Sequence, residues 1–336
     1  MKKTVVALGG ISASVAVWWG LSYSSSDHRA VPSHTVFSNV TIATPDVRRL
    51  ADFYKTTFDA REVDERSWSP AGVSASSVVL RTPGYGGRGP TLTLIPAAQL
   101  ANPPPRASDN GYAHLCFESD DMRAVVSRLV AAGGSLSSVF DANDRAPVLY
   151  AKDPDGNAVE VHIPLPSPIT PRTIYRTLEA LVYTRLEWGG PAEEHLRFLH
   201  ANHNSLDWEQ VVAFYREVFG VDAIGAERDY DGAFIAELTG IRGVAVRGRH
   251  IEMPGYSAGG PTVEAFTYNL PSGRRALTFS DAGVVAIGFV TDDLDAMLAR
   301  VSSAGGKLVF RDGGDAVTQD LYGNLIQFRK AAQGER

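Results

Sequence analysis

From Leu196 onward the chain repeats, landmark by landmark, the order already present over residues 36–166, and an internal duplication restricts the fold more than any local motif does. Asn39 precedes Phe53-Tyr54 by fourteen positions, and His200 precedes Phe214-Tyr215 by the same fourteen. Pro83-Gly84-Tyr85 with Gly89-Pro90-Thr91-Leu92-Thr93 returns at equal internal spacing as Pro254-Gly255-Tyr256 with Gly260-Pro261-Thr262-Val263-Glu264. His114-Leu115-Cys116-Phe117 followed by Asp120-Asp121 is matched by Ala286-Ile287-Gly288-Phe289 followed by Asp292-Asp293. A glycine pair follows nineteen residues on in both copies, at 133–134 and 305–306. Each copy ends in a tight turn, Asp153-Pro154-Asp155-Gly156-Asn157 before Glu160 and Asp320-Leu321-Tyr322-Gly323-Asn324 before Gln327. One copy keeps a carboxylate where the other has an amide.

Within the first copy, residues 37–43 are rich in β-branched and aromatic side chains, which predicts a strand. Pro45-Asp46 then opens an amphipathic helix in which Val47, Leu50, Phe53, Tyr54 and Phe58 recur at helical spacing. Further strands are expected at 75–80 and 91–95 around the Gly/Pro-rich loop 82–90, with room for another at 62–68. The order then recurs: a strand at 112–118, a helix capped by Asp120-Asp121 and stopped at Gly133-Gly134, and a hairpin of 148–152 and 158–163. The fold class is therefore α+β, with two tandem domains. The expected division is an N-terminal segment 1–35, a first domain 36–166, a linker 167–192 with a helix-like run at 173–187, and a second domain 193–331.

At 336 residues the chain is long enough for two ordinary cores, and 44% hydrophobic with 21% charged residues is the balance of a folded globular protein. A net charge of −6 leaves no basic excess for a nucleic-acid backbone, and the pairs Arg48-Arg49 and Arg274-Arg275 are expected to be solvated. The single cysteine, Cys116, rules out an intrachain disulfide and a thiolate cluster. Lys2 and Lys3 precede an uncharged, largely apolar run over 4–23, about a bilayer's width, with no Ala-x-Ala site after it. This predicts a signal peptide or a membrane anchor, followed by a serine-rich tether at 24–35. With the lysines on the cytoplasmic side, the rest is exported or held at the membrane outside the cytoplasm.

His200-Ala201-Asn202 leading to Asp207, Val212-Ala213-Phe214-Tyr215-Arg216-Glu217-Val218-Phe219-Gly220, Glu237-Leu238-Thr239-Gly240, the segment 260–268 and the two Gly-Asn turns resemble the vicinal oxygen chelate superfamily. That superfamily includes glyoxalase I, extradiol dioxygenases and bleomycin-resistance-type proteins. The resemblance covers nearly all of 36–331 and implies glyoxalase-like domains of paired βαβββ modules, whose sheets curl into cups with a metal on the concave face. It implies four ligand positions per domain: Asn39, Thr93, His114 and Glu160 in the first, His200, Glu264, Ala286 and Gln327 in the second. Neither set is complete. If each cup closes within its own copy, two half-sites result. If the first half of the second copy pairs with the second half of the first, one cup gathers His114, Glu160, His200 and Glu264. The other then holds Asn39, Thr93, Ala286 and Gln327, with no charged ligand. The shared arrangement is the simpler expectation, and two imidazoles with two carboxylates suit an octahedral divalent ion such as Ni, Co, Zn, Mn or Fe(II).

Single residues admit other roles. His114 alone fits a strand histidine packed beside Cys116. Glu160 lies in an apolar strand, where an unpaired carboxylate is costly, so a partner or metal is expected. His162 shares its face and is a reserve ligand or a supporting group. A solvent-facing role is the alternative for Glu264. His203 falls on the face opposite His200. His250 and Glu252 are expected at the surface or the cup rim, as substitutes for Glu264. Tyr85 and Tyr256 are as readily turn packing as substrate contacts, and Trp68, Phe266 and Tyr268 either pack the core or line a pocket. No phosphate loop or nucleophile elbow is present. The function expected is a metal-dependent lyase or isomerase of glyoxalase type acting on a small oxygen-chelating metabolite. Glu160 and Glu264 are the candidate catalytic carboxylates. The rivals are an extradiol-type dioxygenase using Fe(II) and a metal-free small-molecule binding or resistance protein.

Overall fold

The computed structural model describes residues 34–64, 77–101, 104–119, 121–137, 148–162, 196–256, 260–271 and 276–332. The apolar run 4–23, Trp68, Asp120, the linker 167–192 and Arg274-Arg275 lie outside these residues. Among the described residues no helix is long and apolar enough to cross a membrane.

The elements form four modules. The first is β1 (Thr35–Thr44), α1 (Val47–Phe58), β2 (Arg61–Glu62), β3 (Val78–Arg81) and β4 (Thr91–Pro96). The second is β5 (His114–Ser119), α2 (Met122–Ala131), β6 (Ser135–Leu136), β7 (Val148–Lys152) and β8 (Ala158–His162). The third is β9 (Leu196–Asn204), α3 (Trp208–Phe219), β10 (Ala223–Tyr230), α4 (Gly232–Thr239), β11 (Val246–Glu252) and β12 (Thr262–Tyr268). The fourth is β13 (Gly283–Thr291), α5 (Leu294–Ser303), β14 (Lys307–Asp312), β15 (Asp315–Gln319) and β16 (Leu325–Lys330). Equivalent aspartates start the helices: Asp46, Asp121 and Asp293 accept from the amides of Arg49, Ala124 and Ala296 at 3.0, 2.9 and 3.0 Å. Each such cap contributes about 1 kcal/mol. Left-handed residues end three of the helices, Asp59 after α1, Gly220 after α3 and Gly240 after α4.

The sheets do not follow the repeats. One sheet runs β14-β15-β16-β13-β1-β4-β3-β2 and joins modules one and four. The other runs β10-β11-β12-β9-β5-β8-β7-β6 and joins modules two and three. The packing of α1 and α3 keeps to the copies instead. Phe58 of α1 stacks on Phe117 of β5 with centroids 4.0 Å apart, and Phe219 of α3 stacks on Phe289 of β13 at 4.2 Å. These two helices thus pack within their own copies, while each sheet is built by both copies, α4 of the second copy packs on Tyr150 of the first, and the buried core is continuous.

The two Pro-Gly-Tyr loops fasten this exchange. Pro83 O accepts from Phe198 N at 3.2 Å and the Tyr85 hydroxyl donates to Phe198 O at 2.7 Å. In mirror fashion Pro254 O accepts from Phe37 N at 2.9 Å and the Tyr256 hydroxyl donates to Phe37 O at 3.1 Å. The tyrosine rings meet at 5.5 Å, so they pack the two sheets together. Glycine is required beside them: a Cβ on Gly84 would stand 2.5 Å from Arg197 Cβ, and one on Gly255 would stand 2.7 Å from Val36 Cα.

Arg49, expected in solvent, pairs with Asp155, whose side chain is buried. The turn around Asp153 lies against α1, where the Tyr54 hydroxyl donates to Asp153 at 3.3 Å, and so carries its acids to the arginine.

Candidate metal centre

A bulge aims the first donor. In β9, Phe198 pairs with Phe117 and His200 with Cys116, so Leu199 is an extra residue between them. Phe198 therefore faces the helices while His200, two positions on, turns to the concave face. The same device in β1, where Phe37 pairs with Phe289 and Asn39 with Gly288, turns Asn39 into the other cup. On β5 and β8 the alternation places His114, Cys116 and Glu160 on the concave face. Glu264 of β12 stands beside Asn202, one strand from His200.

These strands bring His114, Glu160, His200 and Glu264 together, with one donor atom of each within 4.8 Å of all the others. Glu160 Oε2 is 3.0 Å from His114 Nε2 and 3.1 Å from His200 Nε2. Glu264 Oε2 is 3.3 and 3.5 Å from the same nitrogens, which are 3.2 Å apart. All four side chains are buried. Burial alone would lower the His114 pKa, but its hydrogen bonds to Glu160 and Glu264 prevail and raise it to about 9. Burial would raise Glu160, yet the two imidazoles hold it down at about 2, and Glu264 is lowered in the same way against its burial.

The supporting residues differ from expectation. His250, expected at the rim, lies against the centre: its Nε2 is 3.4 Å from Glu264 Oε1 and its Nδ1 2.8 Å from Thr262 Oγ1. Its pairing with Glu264 across β11 and β12 explains this, because directly opposed residues share a face. Burial is the main cause of its pKa falling to about 4. The Asn202 amide donates to Glu264 O at 3.2 Å. Glu252 is half-buried and His162 lies 3.9 Å from Glu118; neither belongs to the four-residue group. His203 does face the other way, 3.1 Å from Asp320 Oδ2 and packed on Tyr112. Phe266 and Tyr268 form a buried apolar wall with Tyr150, Ile235 and Leu238, the last two from α4. Tyr150 was missed in the sequence; its ring is 5.1 Å from His114, and the pairing of Tyr150 with Glu160 is what places it there.

The other cup has no charged group at the equivalent positions. Asn39 Nδ2 donates to Gln327 Oε1 at 3.1 Å and Thr41 Oγ1 donates to the same oxygen at 2.7 Å. Thr93 and Ala286 are buried nearby, on either side of Thr41.

Two adjacent buried carboxylates repel unless cations offset them. His114 held protonated offsets one charge, and a divalent ion would offset both. First-row ions bind nitrogen and oxygen at about 2.0–2.2 Å, which puts neighbouring donors in an octahedron about 3 Å apart. The observed separations of 3.0–3.5 Å fit that requirement.

A cupped sheet built by both copies, with two histidines and two glutamates at its centre that could hold a metal ion, is an arrangement of the glyoxalase type. A family model described as "Glyoxalase-like domain" matches residues 39–162, and one described as "Glyoxalase/Bleomycin resistance protein/Dioxygenase superfamily" matches residues 197–328. The chain belongs to this vicinal oxygen chelate superfamily as a two-domain member. Among solved structures, glyoxalase I from Zea mays is 14% identical over 89% of this chain and 93% of its own, with a TM-score of 0.57. A candidate dioxygenase from Bacillus subtilis is 14% identical over 88% of this chain and 84% of its own, with a TM-score of 0.54. At such identity the likeness is one of fold. A search of curated proteins found no match.

Proposed function

We propose that the protein is a metal-dependent lyase or isomerase that acts on a small, oxygen-chelating metabolite at the single site shared by its two copies. The observation that carries this reading is the convergence of His114, Glu160, His200 and Glu264 from both copies. In this reading those four residues hold a divalent ion, which supplies Lewis-acid polarisation of a carbonyl. Four protein donors leave two octahedral positions, enough for neighbouring oxygens of one substrate. Glu264 has one oxygen turned to the imidazoles and the other to His250, so it is placed to take a proton from the carbon next to the chelating oxygens. Glu160 Oε2 lies 3.0 and 3.1 Å from the two imidazole Nε2 atoms, so it would be a ligand beside them. The wall of Tyr150, Phe266 and Tyr268 keeps bulk water from one side. A dioxygenase centre of two histidines and one carboxylate matches less well, since a fourth donor takes a position that oxygen would need.

The test is metal analysis of the purified protein, joined to solvent-deuterium incorporation into small 2-hydroxy- and 2-oxo-carbonyl compounds. Metal-dependent exchange at the carbon next to the carbonyl supports the reading. Catechol cleavage without such exchange would transfer the protein to the dioxygenase class. Tight ligand binding unaffected by a chelator would make it a binding protein. The run 4–23 adds the proposal that this chemistry takes place outside the cytoplasm, at the membrane or after export. Recovery of the intact chain in the cytosolic fraction would end that part.

A further inference from the structure

The concave face of the metal-bearing sheet also carries arginines. Arg197 is paired with Glu118 at 3.1 Å, with both side chains buried, so its charge is neutralised locally. Arg228 is different. It stands opposite Gly248 on β11, which stands opposite Phe266 on β12, and this row shares the face of His250 and Glu264. Its acidic neighbours in sequence, Glu227 and Asp229, alternate onto the other face, where Arg247 holds Glu227. Gly248 sets no side chain between Arg228 and Phe266. Arg228 is half-buried, donates through Nη1 to Ala226 O at 2.7 Å and has no carboxylate partner among the described residues.

Two carboxylates balance a divalent ion, so in the loaded site Arg228 is left as a positive charge with low-dielectric walls, an arrangement that attracts anions.

We infer that Arg228 recognises the substrate, and that the substrate carries, besides its chelating oxygens, a carboxylate or similar oxyanion that docks on this guanidinium. The inference rests on the metal-site reading above. A planar guanidinium suits an oxyanion because two of its N–H groups can bind both oxygens at once.

Two chelators that differ only in such a group test it: catechol and 3,4-dihydroxybenzoate, titrated calorimetrically into the nickel-loaded full-length protein. The wild type should bind 3,4-dihydroxybenzoate roughly ten- to a hundredfold more tightly than catechol, the range of one charge-assisted contact. Arg228→Gln should bring the two affinities together, Arg228→Lys should recover part of the gap, and added salt should narrow it. Equal affinities in the wild type, or a gap that survives in Arg228→Gln, would overturn the inference while nickel-dependent catechol binding keeps the site reading intact. If neither chelator binds in a nickel-dependent way, the site reading falls and the inference with it.

Discussion

The two cups are built from the same kind of module, yet one gathers two histidines and two glutamates while the other closes on neutral hydrogen bonds. In the first, each donor faces another charged or protonated group at 3.0–3.5 Å. In the second, Gln327 Oε1 takes hydrogen bonds from Asn39 and Thr41. Gly288 lets Asn39 come close, since a Cβ there would stand 2.0 Å from Asn39 Oδ1. The difference teaches that a duplicated sheet can keep its shape by exchanging charged pairs for amide and hydroxyl pairs. An amide network stabilises the cup without any charge, whereas buried carboxylates need a positive partner, a protonated imidazole or an ion.

The comparison breaks most sharply on metal content. His114→Ala and His200→Ala should each abolish binding at the single site, a loss of at least about a hundredfold in affinity, although the residues belong to different copies. Gln327→Ala in the other cup should leave one ion per chain by elemental analysis. Retention of half the metal in either histidine variant would point to two half-sites.

Acidity gives the next effect. Without metal, His114 keeps its proton up to about pH 9, and an incoming ion must displace it. Affinity should therefore climb by about tenfold per pH unit towards pH 9 and then level off, measured by competition with a coloured chelator. The metal-free fold should respond in the opposite sense. Because the His114 pKa rises from an ordinary 6.5 to about 9, its contribution is complete below pH 6.5 and is lost as the pH passes 9. Glu160, lowered from 4.5 to about 2, contributes above pH 4.5 and ceases to as the pH falls towards 2. Thermal melts of the metal-free protein should thus favour pH 4.5–6.5, as far as this cluster decides.

A smaller effect belongs to the neutral cup. Gly288→Ala should cost about 1–3 kcal/mol of stability in urea unfolding, because Asn39 must leave Gln327 to make room. Metal affinity should hardly change, and a large drop would mean that the cups are coupled. The smallest expected effect is in the clasps. Tyr85→Phe removes the hydroxyl contact to Phe198 O, Tyr256→Phe removes one shared between Phe37 O and Arg88 O, and each should cost about 1 kcal/mol. Clearly unequal costs would show that one sheet leans on the other.

Much of this architecture was legible in the chain. Val47, Leu50, Phe53, Tyr54 and Phe58 mark α1, and Asp46 and Asp121 mark helix starts, because amphipathic spacing and capping act within a few residues. The convergence of His114, Glu160, His200 and Glu264 was legible through the repeat and the resemblance. The contact of His250 with Glu264, the place of Tyr150 beside His114 and the pairing of Arg49 with Asp155 were not. Each depends on which strand or turn lies alongside, and local spacing does not encode that register. The bulges at Ser38 and Leu199 belong to the same class, since a simple alternation would put Phe37 and Asn39 on one face.

The sequence by itself determined the duplication, the α+β class and the asymmetry of the ligand positions, with Glu160 in one copy and Gln327 in the other. Only the tertiary structure decided that β5 joins β9 and β1 joins β13, and so which residues meet. The physical reason is that closing a cup within one copy or across two uses the same strands and the same alternation. The choice falls to contacts far apart in the chain, such as Tyr85 on Phe198 and Tyr256 on Phe37, which form only when both copies are folded together.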